Sequence, residues 1–460
     1  MRYILLLLLV SCGVTSKQGS NSNKQKIERN YFNDSIVAIE KFYKNSQLDS
    51  LKTYYKSGIL NEVFYYEKGT YHGTCKKYSR TGVHTVSWKF KKGKLLERID
   101  HHFDINSKNK KKRTKTHKLL LETNNILKHQ PETANLIYKR AYYRYMLEEH
   151  TLALNAFLEL EKYILRTTTI TNQHDPKFVS SIYDAIGSIY STYEMEEKSL
   201  HYKYKAVKAA PTQNRLYYNL GSDLIMVNSY RLGISFLNKT LEMAPNHSFA
   251  HWALGIAYSD IGQYQKAMKH INIAFQKEKG LYKYGLGIAE RDVRTTRGLI
   301  YHKLGDSENA IQDLNEALEI NPNNSYAMRN LGIVYADLKQ YDLACNYFKK
   351  SKELHYIKSH DSKDIETYAE AACAQQPIVL ENAFSMTTPY ANQNPASFLL
   401  KIKNYAFENF AYSIHSYESK QVQKGISEGT EIQIYKLQPG IYTLKIEHPE
   451  FPTSIRFIKI

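Results

Sequence analysis

Nowhere after its first residues does the 460-residue chain hold 18 consecutive apolar residues, so no membrane-spanning helix is expected there. Cysteine is scarce. Cys12, Cys75, Cys345 and Cys373 are scattered without a CxxC pair, which suggests neither a zinc site nor a dense disulfide framework. The histidines show no HExxH spacing, and Gly285-Leu286-Gly287 lacks the third glycine and preceding strand of a dinucleotide loop. One string, Gly425-Ile426-Ser427-Glu428-Gly429, has the form GxSxG, but it falls between two short strands with only His448 after it. A nucleophilic serine needs a strained strand-to-helix turn and downstream partners, so no catalytic residue, metal or cofactor is expected and the chain is read as non-enzymatic.

What is present describes an interaction architecture. Hydrophobic residues make up 42% and charged residues 23%, which argues against a mostly disordered chain, and the length suits two to four folding units. The net charge is +18, and residues 51–118 carry 18 Lys/Arg against 5 Asp/Glu, so the basic character is local. The 39 tyrosines could form a stacking surface for glycan or nucleic acid, but with the excess of Lys, Asn and Ile they are read as the bias of an AT-rich genome.

Met1-Arg2 precedes a seven-residue apolar run, Ile4–Val10, too short to span a bilayer and suited to a signal peptide. The run ends in Leu9-Val10-Ser11-Cys12, which resembles the lipobox of bacterial lipoproteins. The resemblance implies acylation of Cys12, a polar tether after it and an address in the cell envelope, outside the cytoplasm, on the periplasmic or surface face of the outer membrane.

Tyr54-Tyr55-Lys56-Ser57-Gly58, Tyr65-Tyr66-Glu67-Lys68-Gly69, Tyr78-Ser79-Arg80-Thr81-Gly82 and Phe90-Lys91-Lys92-Gly93 form an internal repeat, with Gly58 to Gly82 and Gly69 to Gly93 both 24 residues apart. Period-two alternation with glycine at each reversal predicts successive β-hairpins, aromatic residues including Trp88 covering one face. The pattern resembles the MORN-type repeat, which implies a β-meander used as a platform or spacer. Lys108, Lys110, Lys111, Lys112, Arg113, Lys115 and Lys118 follow within twelve residues. Either they form a solvated linker, or Lys110, Lys111, Lys112, Arg113 and Lys115 contact an anionic surface such as phospholipid or lipopolysaccharide. Nucleic acid is not expected for an exported chain.

From residue 134 the apolar period becomes about 3.6 and small residues recur on a 34-residue grid. Ala141, Gly187, Gly221, Gly255, Gly298 and Gly332 stand at position 8 of six repeats, and Ala153, Ser199, Gly233, Ala267, Ala310 and Ala344 at position 20. Small side chains at both positions let two helices cross closely. Pro211, Pro245 and Pro322 end second helices. The array resembles the tetratricopeptide repeat, which implies antiparallel helix pairs stacked into a superhelix whose concave groove binds proteins or peptides. In that geometry Arg215, Tyr218, Ser222, Phe249, Trp252, Ile256, Asp292, Thr295, His302, Tyr326, Arg329, Ile333 and Asp337 line the groove. The Lys/Asn pattern that grips a terminal carboxylate in some members is absent, so a segment with an apolar anchor is expected rather than an acidic tail. Thr168–Val179 and Tyr282–Glu290 interrupt the grid.

After residue 396, strands return at Phe398–Ile402, Phe410–Ser416, Thr430–Tyr435, Ile441–Ile446 and Ile455–Ile460, suggesting a small β-sandwich. Asn394-Pro395-Ala396-Ser397, the Leu437-x-Pro439-Gly440-x-Tyr442-x-Leu444-x-Ile446 run and Lys459 resemble the C-terminal sorting domain of type IX secretion in Bacteroidota, although Tyr417-Glu418-Ser419-Lys420 stands where that pattern has an Asp/Asn-Gly turn. Either the segment is a sorting signal that takes the chain to the surface, or it is an accessory domain facing the periplasm. The expected fold is mainly α. It has a signal segment 1–12, a tether 13–33, hairpin repeats 34–106, a basic linker or helix 107–133, six helical repeats 134–358, a linker 359–396 and a sandwich 397–460. The expected function is an envelope scaffold binding a protein or peptide in the helical groove. The alternative is a surface protein that binds or processes glycan or another envelope polymer.

Overall fold

The computed structural model describes residues 25–32, 36–55, 57–79, 82–101, 107–130, 133–167, 175–277, 292–354, 356, 364–375, 390–393, 399–403, 409–434, 436–447 and 453–459. Cys12 and the signal segment lie outside them. The chain divides into a first unit ending at Ile105 and a second beginning at Asn106.

The first unit is an antiparallel meander of β1 (Gln25–Tyr31), β2 (Val37–Lys44), β3 (Gln47–Tyr54), β4 (Leu60–Glu67), β5 (Thr70–Tyr71), β6 (Gly73–Tyr78), β7 (His84–Lys91) and β8 (Lys94–Asp100). The sheet order is β1-β2-β3-β4-β6-β7-β8, with β5 paired to β4. Strand β1 falls within the segment expected to be tether. The glycine spacing has a geometric cause. Lys68-Gly69 and Lys92-Gly93 are two-residue hairpin loops with positive φ at both residues, the geometry that matches strand twist. Gly58 and Gly82 close another turn, where the Tyr55 N–H donates to Ile59 and the Ser79 N–H to Val83, each at 2.8 Å. Two turn types alternating along one ribbon give the 24-residue period. Phe64, Trp88, Phe90, Val63 and Val86 are buried, and the Phe64 and Trp88 rings stack 5.4 Å apart.

The second unit opens with α1 (Ser107–His129), so the basic run is helical in its backbone. Six antiparallel pairs follow: α2 (Ala134–Met146) with α3 (His150–Thr167), α4 (Pro176–Thr192) with α5 (Glu196–Ala209), α6 (Asn214–Met226) with α7 (Tyr230–Met243), α8 (Ser248–Asp260) with α9 (Tyr264–Gln276), α10 (Val293–Lys303) with α11 (Ser307–Ile320), and α12 (Ser325–Asp337) with α13 (Tyr341–Glu353). Each crosses at the small residues. Ala141, Ala153, Ala267, Ala310 and Ala344 are fully buried. A Cβ added to Gly233 would stand 3.0 Å from the Gly221 carbonyl oxygen, so these two helices touch backbone to backbone. The first interruption is shorter than expected, because Pro176–Val179 form the first turn of α4, with Pro176 at the start and the Asp175 carboxylate accepting from the Lys177 N–H at 3.0 Å.

Where a linker was expected, α14 (Asp364–Cys373) packs on α12 and α13 and covers their apolar face with Ile365, Tyr368, Ala369 and Ala372. Its end is tied to α13 by a Cys345–Cys373 disulfide. Cysteine spacing does not point to that pair, since the two residues are 28 apart and meet only when α14 folds back. Cys75 is free and buried.

The C-terminal domain has two sheets. Strand β10 (Leu399–Lys403) lies between β9 (Tyr390–Gln393) and β13 (Glu431–Gln433), while β11 (Ala411–His415), β12 (Gln421–Ile426), β14 (Gly440–Glu447) and β15 (Thr453–Lys459) run in the order β12-β11-β14-β15. Leu400, Ile402 and Ile432 of the first share one core with Ile414, Leu444, Ile446 and Phe457 of the second, which makes a small sandwich. Period-two alternation puts Ile441, Thr443, Arg456 and Ile458 on the opposite face of β14 and β15, and that face is seated on the helices. Ile441 and Ile458 join the core that contains Leu200, and the His201 and Tyr417 rings stack 3.6 Å apart. Arg456 donates to Glu197 at 2.9 Å, Glu196 at 3.0 Å and the Val227 carbonyl at 2.9 Å.

Candidate partner-binding groove

The first helices of successive pairs touch one another, α2 to α4, α6 to α8, α8 to α10 and α10 to α12, with α4 joined to α6 through Asp184 and Asn219, and so line one side of the array. Its middle is aromatic. Trp252 of α8 is half-buried, one face against the cluster around Ala267 and Ile271, with its indole N–H donating to Thr296 of α10 at 3.4 Å. Tyr218 of α6 lies 4.8 Å from the His247 ring and 6.1 Å from Phe249, and Ile256 packs with Tyr218 in one cluster. None of these side chains is fully buried. At the α6 end Arg215, half exposed, pairs with Asp184, whose other oxygen accepts from Asn219 at 2.9 Å.

The other expected groove residues are engaged within the fold. Asp292 is buried and caps α10, accepting from the Arg294 N–H at 2.9 Å. Arg329 is buried under α14, where it pairs with Asp364 and reaches the Tyr368 hydroxyl at 3.4 Å. Ile333 is buried in the same cluster, and Tyr326 stacks with Tyr356. Helix α14 thus closes the α12 end of the groove with a carboxylate on the arginine, so Asp292, Arg329 and Ile333 are not available to a partner. His302 bonds Asp337 at 2.7 Å, and this holds the Asp337 carboxyl below the usual carboxylate range. Lys303 reaches the same carboxylate at 3.4 Å.

Asp260 was overlooked in the sequence. It ends α8 at the same repeat position as Asp337, and that equivalence is the signal that could have found it. Asp260 is an exposed residue whose carboxylate lies 3.1 Å from the Tyr230 hydroxyl, and desolvation by the protein around that carboxyl pushes it up to about 6. Of the basic cluster, Lys115 is exposed on α1, whereas the side chains of Lys110, Lys111, Lys112 and Arg113 lie outside the described residues. Ser427 of the GxSxG string is buried at a strand end, accepting from the Phe410 N–H at 2.9 Å and donating to the Gly429 carbonyl at 2.8 Å, which leaves it no nucleophilic geometry. Among the described residues no helix is long and apolar enough to cross a membrane, and no group of three or more His, Cys, Asp or Glu could hold a metal ion.

Family models described as TPR repeat and tetratricopeptide repeat match residues 298–339 and 327–354, over α10 to α13. Residues 298–354 carry tetratricopeptide repeats, and the helix pairs together form a solenoid of the same type. A TPR repeat-containing protein of Methanocaldococcus jannaschii is 24% identical over 206 residues, 44% of this chain and 35% of its own length. The chain therefore spans about a third of that relative. A tetratricopeptide repeat protein from Parabacteroides merdae matches with a TM-score of 0.40 at 14% identity, covering 58% of this chain and all of its own. YrrB, described as a TPR protein with an unusual peptide-binding site, matches with a TM-score of 0.34 at 20% identity, covering 45% of this chain and 95% of its own. Tetratricopeptide arrays mediate protein–protein interaction, and none of these matches indicates a catalytic family.

Proposed function

We propose that this chain is a non-enzymatic scaffold of the cell envelope, tethered through Cys12, whose tetratricopeptide groove holds a protein or peptide partner. The observation that carries the reading is the groove itself. Tyr218, Phe249, Trp252 and Ile256 give it an aromatic and aliphatic middle that the fold leaves only partly covered, as a docking surface for an apolar anchor requires. The Cys345–Cys373 disulfide supports an exported address, because such bonds persist in oxidising compartments and are rare in a reducing cytosol. The hairpin repeats and the basic helix, with Lys110, Lys111, Lys112, Arg113 and Lys115, act in this reading as a spacer near an anionic leaflet, a second attachment beside the acyl chain.

The test is recovery of a partner from membranes by the wild type and by a Trp252→Ala, Tyr218→Ala double variant. Loss of the partner with the helical signal and unfolding midpoint nearly preserved is the expected result; full recovery by the variant refutes groove binding. The surface-exported alternative is separated by protease shaving of intact cells. Cleavage that depends on residues 397–460 favours type IX export, and protection, with membrane association lost in Cys12→Ala, favours the periplasm-facing scaffold.

A further inference from the structure

We infer that Asp260 is the seat for an arginine side chain of the bound partner; this rests on the groove reading above and specifies one contact in it. Asp260 ends α8 on the groove-lining side, and its carboxylate combines two properties that rarely coincide. The residue as a whole is exposed, yet desolvation of its carboxyl by the surrounding protein penalises the charge. The Tyr230 hydroxyl stands between the carboxylate at 3.1 Å and the Asn228 side-chain oxygen at 2.9 Å, and the charge of Asp260 is felt by Tyr264 and Tyr326.

The neighbouring cations are committed elsewhere. Arg329 is held by Asp364 under α14, and Lys303 is turned to Asp337 together with His302. No ion pair joins Asp260 to another described residue. A carboxylate on an exposed residue beside the Tyr230 hydroxyl is charge-complementary to a cation that can also lie against a ring. Guanidinium suits this better than ammonium, being planar, weakly hydrated and able to meet a carboxylate with two parallel N–H groups. Met226, at the equivalent position one repeat earlier, is 76% exposed, the highest figure for any large apolar side chain among the described residues. It offers cover to an apolar residue beside the arginine.

The experiment titrates the full chain with N-acetyl-arginine amide and with the citrulline analogue, which keeps the shape and lacks the charge, reading Trp252 fluorescence and tyrosine NMR shifts. Saturable shifts in the range of about 1 to 10 mM are expected for the arginine compound, of the order one charge-assisted hydrogen-bonded pair supports. The response to citrulline and that of an Asp260→Asn variant, which keeps the acceptor for Tyr230, should both be weaker by about tenfold or more. Equal response to citrulline, an unaltered Asp260→Asn titration, or no saturable shift up to about 50 mM each overturns the assignment. If partner recovery falls with Trp252→Ala and Tyr218→Ala but not with Asp260→Asn, the groove reading stands and the arginine seat falls. Failure of both sets of variants removes the groove reading itself.

Discussion

A single methyl group placed at the crossing of the last helix pair should destabilise the array, although glycine to alanine inside a helix normally helps. Removing a mid-helix glycine is worth about 1 kcal/mol in propensity. At Gly332, however, the new Cβ would stand 2.6 Å from Phe348 Cε1, with two more ring atoms within 2.8 Å. Ordinary carbon contacts begin near 3.5 Å, so the ring must retreat by most of an ångström. Phe348 is fully buried and lies against Tyr368 of the capping helix, so it has nowhere to go without parting α12 from α13 or displacing α14. Overpacking of this kind costs about 1–3 kcal/mol, and after the propensity gain the net effect of Gly332→Ala should be a loss of up to about 2 kcal/mol. Gly255 is the internal control. Its Cβ would meet Ile271 at 3.2 Å, a gap that a few tenths of an ångström relieves, so Gly255→Ala should be neutral or gain up to about 0.5 kcal/mol. Urea unfolding by circular dichroism gives the two values, and amide exchange in α12 and α13 localises the first, since stability in a repeat array is shared between neighbours. A Gly332→Ala protein as stable as Gly255→Ala would refute the close-crossing argument.

Cutting the Cys345–Cys373 link by Cys373→Ala should cost up to about 3.5 kcal/mol on loop entropy for 28 residues of separation, and should appear first as lost exchange protection in α14. Acid should loosen the sandwich from the helices. Burial under Tyr417 lowers His201 to about 4 from its usual 6.5, so stability is complete above the unfolded value and is lost as pH falls from about 6.5 towards 4, by up to about 3 kcal/mol. His270 shifts the same way, so the measurement compares wild type with His201→Phe: protease release of the C-terminal domain should rise below pH 6.5 in the first and change less in the second. Arg456→Ala leaves Glu196, Glu197 and the Val227 carbonyl without their shared donor, and should undock the domain at neutral pH by about 2–3 kcal/mol, visible as faster amide exchange in α5 with the solenoid core unchanged.

The parts that were legible in the sequence obey local rules. Glycine at a two-residue reversal and small residues at a helix crossing each answer to a constraint within a few tens of residues, so the hairpin ribbon and the helix pairs could be read directly. What escaped depends on surfaces meeting across long separations. Helix α14 is short, and its place over Arg329 is set by Tyr368, Asp364 and the disulfide, none of which has meaning until the last pair exists. The docking of the sandwich did leave a trace, because Ile441 and Ile458 are apolar on the side that a free sandwich gives to water. Repeat position selected helices that share one side of the array but could not tell a free side chain from an engaged one. Asp292 proved to be a helix cap and Arg329 a buried ion pair, while Asp260, at a position already in use, was passed over.

The central claim is that a partner lies against the first helices of the middle repeats. The most direct measurement places a photo-crosslinking residue at Trp252 in one strain and at the exposed Glu319 of α11 in another, both in the full chain in living cells. A defined protein adduct at position 252 that is absent at 319 and lost with Tyr218→Ala is the predicted outcome. Adducts of equal yield at both positions, or at 319 alone, would contradict the claim.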